Sequence, residues 1–215
     1  YVVNGNDNTI SQFSITGNGL SALGAMGTGG VTNNTLAVGS NPYYAAVDPS
    51  GRYLYVTNKG DNTISQFKIC QVGDTVCTVT TVVGGLTPMN PATVSVPATG
   101  PVGITATDSA VFVTTADGKV AQFVIGTDGT LTSNANLNTG AVAAGTNPTA
   151  IVAGFGTPFG QRVYVTNKGS DSISSYLLDA TAVVPYPLIS GGTDVTTVPT
   201  GGAGPTGPAG FAVFK

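Results

Sequence analysis

A short pattern that returns along the chain constrains its fold more than any other feature. Tyr1-Val2-Val3-Asn4-Gly5-Asn6-Asp7-Asn8-Thr9-Ile10-Ser11-Gln12-Phe13 comes back as Tyr55-Val56-Thr57-Asn58-Lys59-Gly60-Asp61-Asn62-Thr63-Ile64-Ser65-Gln66-Phe67. A copy one residue shorter runs from Phe112 to Phe123, and another runs from Tyr164 to Tyr176. The leading aromatics Tyr1, Tyr55, Phe112 and Tyr164 stand 54, 57 and 52 residues apart. A period of that length means stacked supersecondary units, none of which can bury its apolar face alone.

Each copy reads as a hairpin. An aromatic and β-branched run enters a turn of Asn, Gly and Asp, residues that tolerate positive φ, and a second strand leaves it. A further strand precedes the hairpin at Asn41–Val47, Gly100–Ile104 and Asn147–Val152, and the first of these ends in the turn Asp48-Pro49-Ser50-Gly51. A fourth strand follows, clearest at Gly129-Thr130-Leu131-Thr132. Four short antiparallel strands per repeat describe a propeller blade. The expectation is therefore an all-β chain, a β-propeller with four repeats of about 54 residues, in a single domain over residues 1–215. The repeats span approximately 1–41, 42–99, 100–146 and 147–207, with a closing strand at 208–215. No segment carries helical apolar periodicity, so no helix is expected.

The pattern Tyr-Val-Thr-Asn at Tyr55–Asn58 and again at Tyr164–Asn167 resembles the YVTN repeat of secreted bacterial and archaeal propellers. Asn-Pro, then Asp-Pro-Ser-Gly-Arg-Tyr-Leu-Tyr-Val and a Gly-x-Leu-Thr-like strand, is also similar to the lactonase-like propeller superfamily. The resemblance covers nearly the whole chain and implies a fold more than an activity. The chain opens on the second strand of a blade, and Gly207–Lys215 matches the first-strand pattern. Three arrangements follow: a closed ring of four blades, part of a larger ring, or donation of the last strand to a neighbouring subunit.

The chemical inventory is narrow. There are ten acidic residues, all Asp, seven Lys or Arg, and no Glu, His or Trp. With no His, triads built on imidazole are excluded. Asp7, Asp61, Asp117 and Asp171 recur at one hairpin turn, Asp48 and Asp108 at a second, Asp74 and Asp128 at a third. Aspartate accepts local backbone hydrogen bonds at such turns, which explains these eight without chemistry. The turns at Asn4–Asn8 and Asn58–Asn62 lack the alternating acidic series and distal Glu of a calcium loop. No cofactor, metal or catalytic residue is assigned.

Neither a basic stripe nor an apolar run of membrane-spanning length is present, so nucleic acid and a membrane span are not expected. Tyr55, Phe112 and Tyr164 are expected to pack between blades. Tyr43, Tyr44, Phe155, Phe159 and Tyr186 fall off the repeat and are the candidate contact surface. The resulting expectation is a secreted, non-catalytic scaffold in a matrix, filament or cell surface, with protein partners or self-assembly. The alternatives are a lactonase-like hydrolase and a propeller that binds carbohydrate or another ligand.

Cys70 and Cys77 flank a Gly73-Asp74 turn. Cα atoms across such a hairpin approach to roughly 5.5 Å, within disulfide reach. An intramolecular disulfide is expected, in keeping with an extracellular compartment. Intact mass measured after alkylation of the native protein, with and without prior reduction, tests the pair. Two thiols that alkylate without reductant would remove it.

Overall fold

The computed structural model describes residues 1–17, 19–23, 34–74, 83–134, 141–157, 160–178 and 198–199. Among them every regular element is a strand, and every pairing is antiparallel. The first sheet pairs β1 (Val2–Asn4) with β2 (Thr9–Ser11); β3 (Phe13–Thr16) and β4 (Gly19–Ala22) follow as a two-stranded sheet of their own, and β5 (Thr35–Ala37) returns to pair with β2. The second runs β6 (Pro42–Val47), β7 (Tyr53–Asn58), β8 (Thr63–Ile69) and β9 (Leu86–Ser95). The third contains β10 (Pro101–Ala106), β11 (Ala110–Thr115), β12 (Lys119–Ile125) and β13 (Leu131–Ser133), with β14 (Ala141–Ala143) also on β12. The fourth contains β15 (Pro148–Thr157), β16 (Gly160–Asn167), β17 (Ser172–Leu177) and β18 (Val198–Pro199).

The repeated Asn closes each hairpin because one amide can donate and accept at once. Asn58 Nδ2 donates to Thr63 Oγ1 at 3.0 Å and Ser65 Oγ at 2.9 Å, while its Oδ1 accepts from Gly39 N at 3.1 Å. Asn167 does the same with Ser172 (3.2 Å), Ser174 (2.9 Å) and Gly145 N (3.0 Å). Asn4 holds Thr9 at 3.0 Å and Ser11 at 2.8 Å. The incoming loop must be glycine at the point of contact. A Cβ on Gly39 would lie 2.6 Å from the Asn58 amide, and one on Gly145 2.5 Å from that of Asn167. In the third repeat Thr115 replaces Asn and bonds Asp117 Oδ1 at 2.6 Å instead.

The sheets stack through alternating faces, since successive strand residues point to opposite sides. Leu54, Val56, Phe67, Ile69 and Leu86 of the second sheet pack with Ile10 of the first. On its other face Tyr55 and Ile64 meet Ile104, Val111, Val113, Phe123 and Leu131 of the third. Phe112 and Val120 then meet Val163, Val165, Tyr176 and Leu178 of the fourth. Tyr55 and Phe112 thus lie between sheets as the repeat predicts. Tyr164 does not follow them: it is half-buried, because no described sheet lies beyond it.

A buried glutamine ties the first two of these stacks. Gln12, Gln66 and Gln122 are each at most 1% exposed. Gln12 Oε1 accepts Leu86 N of the second sheet at 2.7 Å, and Gln66 Oε1 accepts Leu131 N of the third at 2.6 Å. The outer strand gives way opposite this residue. It is split into β4 and β5 around Gln12 and into β13 and β14 around Gln122, and it shifts register beside Gln66. In the fourth repeat Ser175 occupies the position and accepts from Arg162 Nη1 at 3.2 Å.

Among the described residues no strand joins the first sheet to the fourth, so they do not close into a ring, and β1 is an edge. The proposed closing strand at 208–215 lies outside the described residues, as does Cys77. Cys70 is buried, and no cysteine among the described residues is free.

Replacing Gln66 with Leu leaves Leu131 N and Pro91 O without their side-chain partners. It should cost roughly 2–3 kcal/mol of unfolding free energy, read from the urea midpoint; an unchanged midpoint would refute the staple. Alkaline pH offers a second check. Burial pushes the Tyr176 phenol up to about 12, and burial also raises Tyr55. Both groups favour the folded state while neutral. Stability should hold below the ordinary tyrosine pKa near 10 and fall as pH climbs through the folded values. Urea midpoints across that range should fall less steeply in Tyr176→Phe than in wild type; equal slopes would rule the contribution out.

Candidate functional site

Five described aspartates are held by their turns. The Asp48 carboxylate accepts Ser50 N at 3.1 Å, Arg52 N at 2.9 Å and Tyr53 N at 2.7 Å, and it also takes the Ser50 hydroxyl. Asp61 accepts Ser40 N at 2.5 Å. Asp128 is bound by Thr130 through its hydroxyl at 2.6 Å and its N–H at 3.0 Å, and the hydroxyl bond leads in holding its pKa below the ordinary range. The Gln71 N–H, followed by Lys68, lowers Asp74. At Asp117 partial burial works upward, but the Thr115 hydroxyl and Lys119 outweigh it and the pKa is lowered.

Asp108 differs. It is exposed at the tip between β10 and β11 and makes no hydrogen bond or ion pair with any described residue. The tip is built by Thr107, whose N donates to Ala110 O at 2.8 Å while its hydroxyl accepts Ala110 N at 3.1 Å. Asp108 and Ser109 are thereby left projecting from the turn. They form one wall of a cleft of about 550 Å³ between the second and third sheets, lined by Asp48, Arg52, Tyr53, Asp108, Ser109 and Thr127. That volume falls within the range of small-molecule sites. The floor is rigid: Ile125 N bonds Ser109 O at 2.9 Å, and Gly126 N bonds Thr130 O at 2.8 Å. Arg52 brings a guanidinium that is 50% exposed and only loosely paired, 3.8 Å from Asp74.

The cleft is not the surface expected from the off-repeat aromatics. Tyr43 and Tyr44 are exposed, but they lie at the start of β6, where Lys59 sits 5.3 Å from the Tyr43 ring centroid. Asp48 follows the opposite end of that strand. Phe155 falls within β15, and Phe159 and Tyr186 lie outside the described residues. Arg52, Tyr53, Ser109 and Thr127 were not singled out by sequence. The signal for them was the pairing of Asp48 with Asp108 at one repeat position, which marks two adjacent turns on the same rim.

Neither a protein-family model nor a curated protein matches the sequence. Solved structures do match. A proposed 6-phosphogluconolactonase from Bacteroides fragilis is 20% identical with a TM-score of 0.61, over 90% of this chain and 50% of that one. A protein from Lactobacillus plantarum is 19% identical with a TM-score of 0.61, over 89% and 50%. A second proposed 6-phosphogluconolactonase, from Bacteroides uniformis, is 17% identical with a TM-score of 0.51, over 76% and 45%. The chain spans about half the length of these structures. At such identities the likeness carries the fold alone, which is all-β. It also corrects the expectation of a non-catalytic extracellular scaffold: two of these neighbours are proposed 6-phosphogluconolactonases, which favours the lactonase-like alternative over the scaffold. Physically, that expectation leaned on the missing His and Glu and overlooked that an exposed aspartate in a cleft can still serve as a base.

Proposed function

We propose that the chain is a four-blade stretch of a YVTN-type, lactonase-like propeller that hydrolyses a sugar lactone in the cleft between its second and third blades. The observation that carries this reading is Asp108, an exposed carboxylate without a partner among the described residues, in a cleft that also holds Arg52. The fold it shares with proposed 6-phosphogluconolactonases supports the choice of substrate.

In this reading Asp108 takes a proton from water, and the water oxygen adds to the lactone carbonyl. Arg52 donates to the oxyanion that forms. The intermediate then collapses with cleavage of the ring C–O bond. The proton held by Asp108 passes to the departing ring oxygen, so the product is the open hydroxy acid and the carboxylate is restored. Arg52 is also the group suited to a phosphate on the sugar, since guanidinium forks match phosphate oxygens. Location outside the cytosol and the Cys70–Cys77 disulfide belong to the same proposal.

Hydrolysis of 6-phosphogluconolactone and of glucono-δ-lactone, each corrected for spontaneous opening, tests the assignment. Wild type should show saturable turnover. Asp108→Asn should lose at least about 100-fold in kcat, the usual contribution of a general base. Because Asp108 is exposed and unbonded, its urea midpoint should not move. No turnover above the spontaneous rate, or full activity in Asp108→Asn, would sink the proposal.

A further inference from the structure

The tyrosine that lines the cleft departs from the repeat. Register aligns Tyr53, which pairs Lys68, with Ala110, which pairs Val124, and with Arg162, which pairs Leu177. Each stands two residues before the aromatic of its strand, Tyr55, Phe112 or Tyr164. Ala110 is wholly buried at this position, so a methyl group satisfies the stacking there and no phenol is called for.

Alternate residues of a strand share a face, and Tyr53 and Tyr55 therefore both meet the third sheet. They meet it at one residue, Gly129. The Tyr55 hydroxyl donates to Gly129 O at 2.7 Å and is occupied by that bond. The Tyr53 ring lies against the same glycine, where a Cβ would come within 2.2 Å of it. Gly129 also has a φ of +88°, a region that favours glycine. The Tyr53 backbone is fixed from its own side, since its N donates to Asp48 Oδ1 at 2.7 Å and its O accepts Asp48 N at 3.0 Å. The ring is thus held by two sheets, yet its hydroxyl bonds no described residue. That hydroxyl is not among the buried unpartnered polar atoms either, so solvent reaches it.

We propose that Tyr53 is the specificity residue of the cleft, its hydroxyl pairing a ring hydroxyl of a polyhydroxylated, sugar-type lactone in preference to a bare lactone ring. The inference rests on the lactonase reading for the kind of ring. A ligand that covers the phenol without pairing it leaves a donor buried and unsatisfied, which is how a site rejects the analogue lacking a hydroxyl. The ring is already in place before substrate arrives, so little ordering cost is added on binding. Tyr53 shares the cleft with Arg52 and Asp108, and a lactone held by its ring hydroxyl there stays within the site that acts on its carbonyl.

Titration calorimetry with D-glucono-δ-lactam, which keeps the ring and hydroxyls of the sugar lactone but resists hydrolysis, tests the contact without turnover. Wild type should bind it, and Tyr53→Phe should bind it about tenfold more weakly. The urea midpoint of Tyr53→Phe should not move, because the ring stays against Gly129 and the lost hydroxyl bonds no described residue. In turnover, Tyr53→Phe should raise KM for glucono-δ-lactone by a similar factor with little change in kcat. δ-Valerolactone, the same ring without hydroxyls, should be handled as by wild type. Lactam binding that Tyr53→Phe weakens, in a protein that hydrolyses neither lactone, would remove the lactonase reading and keep this one. Turnover with lactam binding equal in wild type and Tyr53→Phe would do the reverse. A wild type that does not bind the lactam also overturns the inference.

Discussion

The hydrogen bond that a buried glutamine accepts from the backbone of the next sheet is the contact around which the rest of this structure is arranged. Apolar stacking supplies most of the attraction between sheets, but it is non-directional and would tolerate sliding. Gln12 and Gln66 remove that freedom by meeting one N–H each, Leu86 and Leu131, at 2.7 and 2.6 Å. A glutamine buried without its partner would be costly, so register within each sheet and spacing between sheets must agree. The interrupted outer strand follows from this, because the side chain and its own carbonyl occupy the place where an unbroken ladder would run.

The repeated asparagine does complementary work at one rim. Asn58 and Asn167 tie the hairpin turn to the loop arriving from the preceding sheet, and Gly39 and Gly145 make room for them. With one rim secured in this way, the turns at the other rim line the cleft. Asp48 is spent on its own turn, with three backbone N–H groups in its grasp. Asp108, at the equivalent turn of the next sheet, has none of these bonds and faces the cleft. The same residue type at the same repeat position is thus bound into its own turn in one sheet and has no bond to a described residue in the next.

Much of the fold could be read from the sequence, and little of the site. The hairpins at Asn4, Asn58 and Asn167 and the strands before them follow from local residue types, and local hydrogen bonds produce them. Tyr55 and Phe112 were legible as packing residues because the repeat places each of them between two sheets. Tyr164 was not, since its burial depends on a sheet beyond the fourth rather than on its own strand. Tyr43 and Tyr44 drew attention as aromatics off the repeat, yet they stand at the far end of β6 from the cleft. Arg52 and Asp108 are 56 positions apart in the sequence and share a wall only because two sheets stack.

The sequence by itself determined the all-β class, the period and the residue that closes each hairpin. These depend on strand alternation, turn chemistry and hydrogen bonds between near neighbours, which are properties of short stretches of chain. Tertiary structure alone decided which aspartates line the cleft, which glutamine meets which backbone, and which apolar face is left bare. Each of those outcomes depends on what an adjoining sheet presents across the interface. Ile15 and Ile69 occupy the same repeat position, yet one is 87% exposed and the other 6%, because only the second has a sheet stacked against it.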